Sequence, residues 1–242
     1  MFASMFKCHQ WRHYARSDPR LSVFRLFGRI CLTIGPIQNV SMKMPVEISK
    51  RDTYHHGNLE ETVLLVARKH IETDESGELS FRAIAAEVGV SHRALYRLFA
   101  DRDAMLWRVA QIGFEELLEA CKASSDGKQG AEALRAYMYA YARYAFKHFL
   151  LYKMMYSLPL MREYNKQTPV SMQLKELFNL AASHAQFGSS SPTEIRDRVN
   201  RLWAQVHGMI GFFQCGALNA KTSEHALTYI DSATITFLKL ET

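Results

Sequence analysis

Ser80-Phe-Arg-Ala-Ile-Ala-Ala-Glu-Val-Gly89-Val-Ser91-His-Arg-Ala-Leu-Tyr-Arg-Leu-Phe99 reads as two short helices joined by a tight turn. Ser80 can cap a helix whose Phe81, Ile84, Ala85 and Val88 recur at the spacing of one buried face. Gly89 follows where a helix C-terminus favours a left-handed residue. Ser91 can cap the next helix, which turns Leu95, Leu98 and Phe99 inward. With those three buried, the outward face carries His92, Arg93, Tyr96 and Arg97, and residues 90–100 hold no acid. Hydrogen-bond donors on a helix of this width suit the major groove of DNA, and the tight Gly-containing turn suits a helix-turn-helix. A solvated basic surface is the plainer alternative. Arg102 lies at the expected start of the following helix, where backbone N–H groups also favour a phosphate.

Upstream, Asn58 and Glu61 form a variant of the capping box. Leu59, Val63, Val66, Ala67, His70 and Ile71 then recur at helical spacing, and the polar run Thr73–Gly77 ends that helix. The pattern predicts three helices before residue 102.

At these residues the chain resembles the DNA-binding domain of the TetR/AcrR family. The resemblance runs from Tyr54-His55-His56-Gly57-Asn58-Leu59 through Ser80–Ala85, Gly89-Val90-Ser91, Ala94-Leu95-Tyr96 and Phe99 to Asp101-Arg102-Asp103. Members of that family are dimeric, all-helical transcription regulators, mostly repressors released by a small ligand. The resemblance implies that Ser80 and Tyr96 contact phosphates and that Arg93 and Arg97 lie in the major groove. Arg102 stands where the family usually has Lys, which keeps the charge and adds a bidentate fork. Tyr54, His55 and His56 match a short arm found in one subgroup. The expected DNA-contact set is therefore Tyr54, His55, His56, Ser80, Ser91, His92, Arg93, Tyr96, Arg97 and Arg102.

Beyond Asp103 the reading is helical throughout, so the expected fold is all-α. A helix-turn-helix domain at 45–102 leads into a larger helical ligand-binding and dimerisation domain at 103–242. Leu106, Val109, Gly113, Phe114, Leu117, Leu118 and Cys121 mark a long helix, which Ser124–Gly130 breaks. A second helix from about 131 to 150 opens a stretch, Tyr137–Tyr156, that holds six of the eleven tyrosines and three methionines. That stretch is too crowded for one tight stripe, and the excess is expected to line a cavity. Tyrosines bring polar tips on apolar bodies and methionines bring adaptable walls. Ser191-Pro192-Thr193-Glu194 is a full helix start signal. Within the helix it opens, Trp203-Ala-Gln-Val-His207-Gly208 resembles the Trp…His-Gly signature of a TetR-type C-terminal ligand-binding domain. The candidate ligand residues are Tyr137, Tyr141, Tyr144, His148, Trp203 and His207, and the expected effector is mostly hydrophobic or aromatic. Arg143 and Lys147 make an anionic group conceivable, although both are expected on the solvated face. The resemblance implies a homodimer through the last two helices. Ala204, Gly208 and Gly211 would permit close approach there, or would merely fit the monomer's own core.

Other classes have less support. No phosphate-cradling glycine loop, hydrolase elbow or metalloprotease motif occurs, so no catalytic residue and no cofactor is expected. His148, His184 and His207 could meet as a metal sensor, and a helical enzyme with an unrecognised site is the further alternative; the expectation is no metal. Residues 202–220 lack charge, but Gln205, His207, Gln214 and Asn219 argue against a membrane span. The expected protein is a cytoplasmic, DNA-binding repressor with an operator and a small effector as partners. The four cysteines form no CxxC pair, which suits a reducing compartment.

The net charge of +6 is confined to residues 1–44, where seven basic side chains face Asp18 alone. The remaining chain holds 23 basic and 23 acidic residues, so DNA binding must rest on local placement of charge. The basic extension can be read as an organelle leader, as an arm for phosphates or a membrane surface, or as sequence ahead of a true start at Met42 or Met44. The last reading predicts that a chain starting at Met44 folds, dimerises and keeps its DNA preference. Loss of sequence-specific retention in a gel-shift experiment would assign the extension a function.

Overall fold

The computed structural model describes residues 59–73, 79–157, 168–186 and 191–241. The expectations for residues 1–44, for the arm Tyr54, His55 and His56, and for the Asn58 cap lie outside the described residues. Those described form nine α-helices and no strand: α1 Leu59–Thr73, α2 Phe81–Val88, α3 His92–Leu98, α4 Arg102–Ser125, α5 Gly130–Lys147, α6 Phe149–Met155, α7 Pro169–His184, α8 Pro192–Gln214 and α9 Ser223–Glu241.

Local signals set the helix ends. Ser80 accepts from the Ala83 N–H at 3.3 Å, Ser91 from Ala94 at 3.2 Å and Asp101 from Ala104 at 2.8 Å. Each such cap contributes about 1 kcal/mol. Gly89 closes α2 at φ 79° and ψ 27°, and Val90 N–H returns to the Ala85 carbonyl at 2.9 Å. Ser191 and Glu194 complete a reciprocal capping box with Pro192 in the first turn of α8.

Around this frame α4 is the central post, packed on α5 and α7, with α9 covering α5 and α8. Phe114, Leu117, Leu134, Met138, Tyr141, Leu151, Met155 and Leu202 are fully buried between them. Arg135 grips Asp231 through Nε and Nη2, both at 2.7 Å, and so clips α5 to α9. At Gly113 an added Cβ would lie 2.6 Å from Met155 Sδ, so the glycine lets α4 and α6 approach closely.

Two expectations are corrected. The aromatic stretch is not one helix, because His148 (φ −121°, ψ 46°) ends α5 and turns the chain into the separate α6. Nor do Gly208 and Gly211 fit the monomer's core, since a Cβ at either would meet nothing within 4 Å. They share an outward face of α8 with exposed Ala204 and Phe212. Among the described residues no helix is long and apolar enough to cross a membrane.

The left-handed turn makes the helix-turn-helix sensitive to one methyl group. Gly89→Ala is expected to destabilise the protein by about 1–2 kcal/mol, the cost of left-handed backbone for a residue with a Cβ. Urea unfolding followed by circular dichroism measures it, and an unchanged midpoint would contradict the assignment.

Candidate functional site

The first site is the exposed face of α3. Leu95 and Phe99 are buried in the core that Phe81, Ile84 and Ala85 of α2 share, while Leu98 is half-buried. That anchoring turns His92, Arg93, Tyr96 and Arg97 outward, all exposed, as the helical period predicts. Tyr96 is held by rings on two sides, with centroids 5.2 Å from Phe81 and 5.0 Å from His92. Arg93 and Arg97 follow one turn apart, and no carboxylate stands on α3. The Ser80 and Ser91 hydroxyls accept capping bonds from backbone N–H groups, which leaves each hydroxyl hydrogen to donate outward. Exposed Arg102 opens α4, where the Asp101 carboxylate already accepts from the Ala104 N–H and adds a negative charge, so attraction of an anion there falls to the Arg102 side chain.

The second feature is a polar junction where α1 meets the helical body. The Arg68 guanidinium on α1 bonds Glu116 on α4 and reaches Glu72 at 3.3 Å. Tyr144 on α5 donates to the other Glu116 oxygen at 3.1 Å, and His148 Nδ1 meets Glu72 at 2.8 Å. Burial alone would raise the Glu116 carboxyl, but the Arg68 and Tyr144 hydrogen bonds hold it below its ordinary value.

The third feature lies one helical turn further along α5. The Trp203 indole N–H donates to the Tyr141 hydroxyl at 2.9 Å, and Tyr141 and Tyr152 hydroxyls are 2.9 Å apart. Tyr152 in turn bonds His207 Nδ1. One set of directions satisfies all four: indole to Tyr141, Tyr141 to Tyr152, and Tyr152 to a neutral imidazole whose proton sits on Nε2. Burial lowers the His207 pKa and keeps that ring neutral. The Tyr156 hydroxyl, among the same rings, is buried with no hydrogen-bond partner among the described residues. Beyond Trp203 opens a cavity of about 440 Å³, bounded by α5, α7 and α8. Its walls are Tyr137, Met138, Leu174, Leu177, Phe178 and Val199 among others, with Arg196 and Asn200 as its polar members.

The six residues expected around a ligand are therefore brought to three places. Tyr137 and Trp203 line the cavity, Tyr141 and His207 form the network behind it, and Tyr144 and His148 belong to the junction with α1. Tyr137, Tyr141, Tyr144 and His148 recur at spacings of four, three and four, so one stripe of α5 passes through all three. Most of the crowded tyrosines fill core, and Tyr139, Arg143 and Lys147 are exposed. His184 bonds Ser125 at 3.0 Å, so the three histidines considered as a metal cluster have separate partners. Among the described residues no group of three potential ligands could hold a metal. Sequence reasoning missed Arg68, Glu72 and Glu116, whose meeting depends on residues 48 apart, and it missed the α7 wall, where an ordinary amphipathic pattern gives no sign of a cavity.

The family model described as "Bacterial regulatory proteins, tetR family" matches residues 64–109, and "Tetracyclin repressor-like, C-terminal domain" matches residues 134–230. Among solved structures, a protein of unknown function from Rhodococcus sp. RHA1 is 27% identical, with TM-score 0.63 over 78% of this chain and 98% of that one. A TetR-like transcriptional regulator from the same organism is 18% identical, with TM-score 0.55 over 77% and 99%. The TetR family transcriptional regulator PfmR from Thermus thermophilus is 16% identical, with TM-score 0.53 over 74% and 94%. Among curated proteins, none matches this chain significantly.

The lowered His207 pKa has a consequence for stability. An imidazole kept neutral in the fold protonates more readily when unfolded, so its contribution is complete above about pH 6.5 and is lost as pH falls below that. The melting temperature is expected to drop between pH 7 and 5.5, and to drop less in His207→Gln. The remainder belongs to His184, whose pKa burial also lowers. Parallel profiles for the two proteins would show that His207 does not titrate this way.

Proposed function

This chain belongs to the TetR family of transcription regulators and is not an enzyme, and on that footing we propose that it is a homodimeric, ligand-responsive repressor. In this reading residues 45–102 bind a two-fold symmetric operator and residues 103–242 bind the effector and the partner subunit. The protein then works in the cytoplasm, where its DNA is. The observation that carries the reading is the exposed, acid-free α3 face of His92, Arg93, Tyr96 and Arg97 on a capped and aromatic-braced helix.

The roles follow from chemistry. Arg93 and Arg97 reach base edges, where guanidinium pairs with guanine in two parallel bonds. Ser80, Ser91, Tyr96 and Arg102 take phosphates, and His92 supplies a further donor. Tyr54, His55 and His56 act as an arm in the adjacent groove or on its phosphates. The dimer forms through α8 and α9. Ala204, Gly208 and Gly211 let backbones approach, while Tyr229 and Leu240 are exposed apolar side chains that a partner would cover. Half-sites should then lie about 34–36 Å apart, or a multiple of that.

Release requires the effector to bind one arrangement of the two halves better than the other. The cavity beside Tyr137 and Trp203 is the proposed effector site, and α5 and α4 are the levers. A shift of α5 moves Tyr144 and His148, and through Glu116 and Glu72 pulls on Arg68 of α1. The separation of the two α3 helices changes with it.

The test compares two variants on specific and random DNA. Arg97→Ala should cost about 1–3 kcal/mol on the operator and alter base preference. Arg102→Ala should weaken all sequences alike and reduce the salt slope by about one. Equal loss on both DNAs for both variants would remove Arg97 from base reading.

A further inference from the structure

The cavity bounded by α5, α7 and α8 has its polar groups at one end only. On its floor the Tyr137 hydroxyl donates to the Leu177 carbonyl at 2.9 Å, and the Trp203 indole donates to Tyr141 at 2.9 Å. Both donors are already spent. Around them Met138, Leu174, Leu177, Phe178, Ala181 and Val199 present hydrocarbon and sulfur. A polar group carried deep into this space would lose its water and find no donor in return. The opposite holds at the rim. Arg196 and Asn200 stand four residues apart on α8, one turn above the other, and among the described residues no acidic side chain lines the cavity. The Arg196 side chain is 62% exposed, and its contact with Asp197, 3.8 Å from Nε, is too long for a hydrogen bond. Its planar fork can therefore turn to the cavity mouth.

We propose that this cavity takes an anionic amphiphile, with an aryl or alkyl chain inside and a carboxylate at the rim. Arg196 meets the carboxylate with two parallel N–H···O bonds, and the Asn200 amide supplies a third donor. The inference rests on the reading of this cavity as the effector site and adds the effector's chemical class. A cation is repelled by Arg196, and a polyol finds only hydrocarbon below the rim. The volume of about 440 Å³ falls within the range of about 300–1,000 Å³ common to small-molecule sites. Flat aromatic walls from Tyr137, Phe178 and Trp203 favour an occupant with a ring.

Phenylbutyrate and its neutral counterpart phenylbutanol, titrated into the full chain without DNA, test the class directly. Calorimetry gives the affinities, and Ala181→Trp places the probe. The acid is expected to bind about tenfold more tightly than the alcohol, as a charge-assisted pair allows. Arg196→Gln, on an exposed position that does not endanger folding, should remove that advantage and leave the alcohol unchanged. Ala181→Trp, checked by its melting curve, should block both probes. Equal affinity for acid and alcohol, both lost in Ala181→Trp, would overturn the anionic class and leave the cavity as the effector site. Binding of neither probe, or binding that Ala181→Trp does not touch, would overturn both. Tight acid binding that fails to release the protein from its DNA would uphold the class and remove the effector role.

Discussion

The Arg68 guanidinium sits where a helix from the DNA-binding half meets two helices of the body, and its charge has to be satisfied there. Glu116 of α4 and Glu72 of α1 do so, with Tyr144 and His148 completing the carboxylates' hydrogen bonds. A fully exposed ion pair contributes about 0–1 kcal/mol. This cluster is half-buried and joins five side chains, so removing Arg68 leaves two partly desolvated carboxylates without their cation. Together with the packing of α1 on α4 and α6, it ties α1 to the body, while α2 packs against α1 and α3 packs on α2 in turn.

Helix α5 carries the consequence into the body. Its buried stripe places Tyr137 at the cavity, Tyr141 in the indole–hydroxyl–imidazole network and Tyr144 at the junction. Successive turns of a helix cannot move independently, because their backbone hydrogen bonds hold them in register. In the proposed regulator an occupant pressing on Tyr137 or Trp203 therefore meets the same rigid element that holds Glu116. Packing at native density makes that response stepwise, since a close-packed core has few intermediate arrangements.

The outer faces of α8 and α9 show the opposite design. Open space at Gly208 and Gly211, on the same side as exposed Tyr229 and Leu240, is surface that the other described residues leave uncovered. Covering it with a second copy would fix two α3 helices at a set distance, and that distance is what an operator would read.

Helix positions, their caps and the outward face of α3 were legible in the chain itself, since capping bonds and the 3.6-residue period act between residues a few positions apart. Ser80, Gly89, Ser91 and Ser191 each act within four residues of their own place. The clustering of tyrosines was legible too, but not its division among cavity wall, buried network and junction. Those partners are 11 to 76 residues apart, as in Tyr141 with Tyr152 and His148 with Glu72. The turn at His148 that makes α6 a separate helix was equally hidden, because neither glycine nor proline marks it and its partner Glu72 lies on another helix. Short-range geometry is written in neighbouring residues, whereas the burial of a charge or the opening of a cavity depends on which helix comes to lie against which, and only the packed chain decides that.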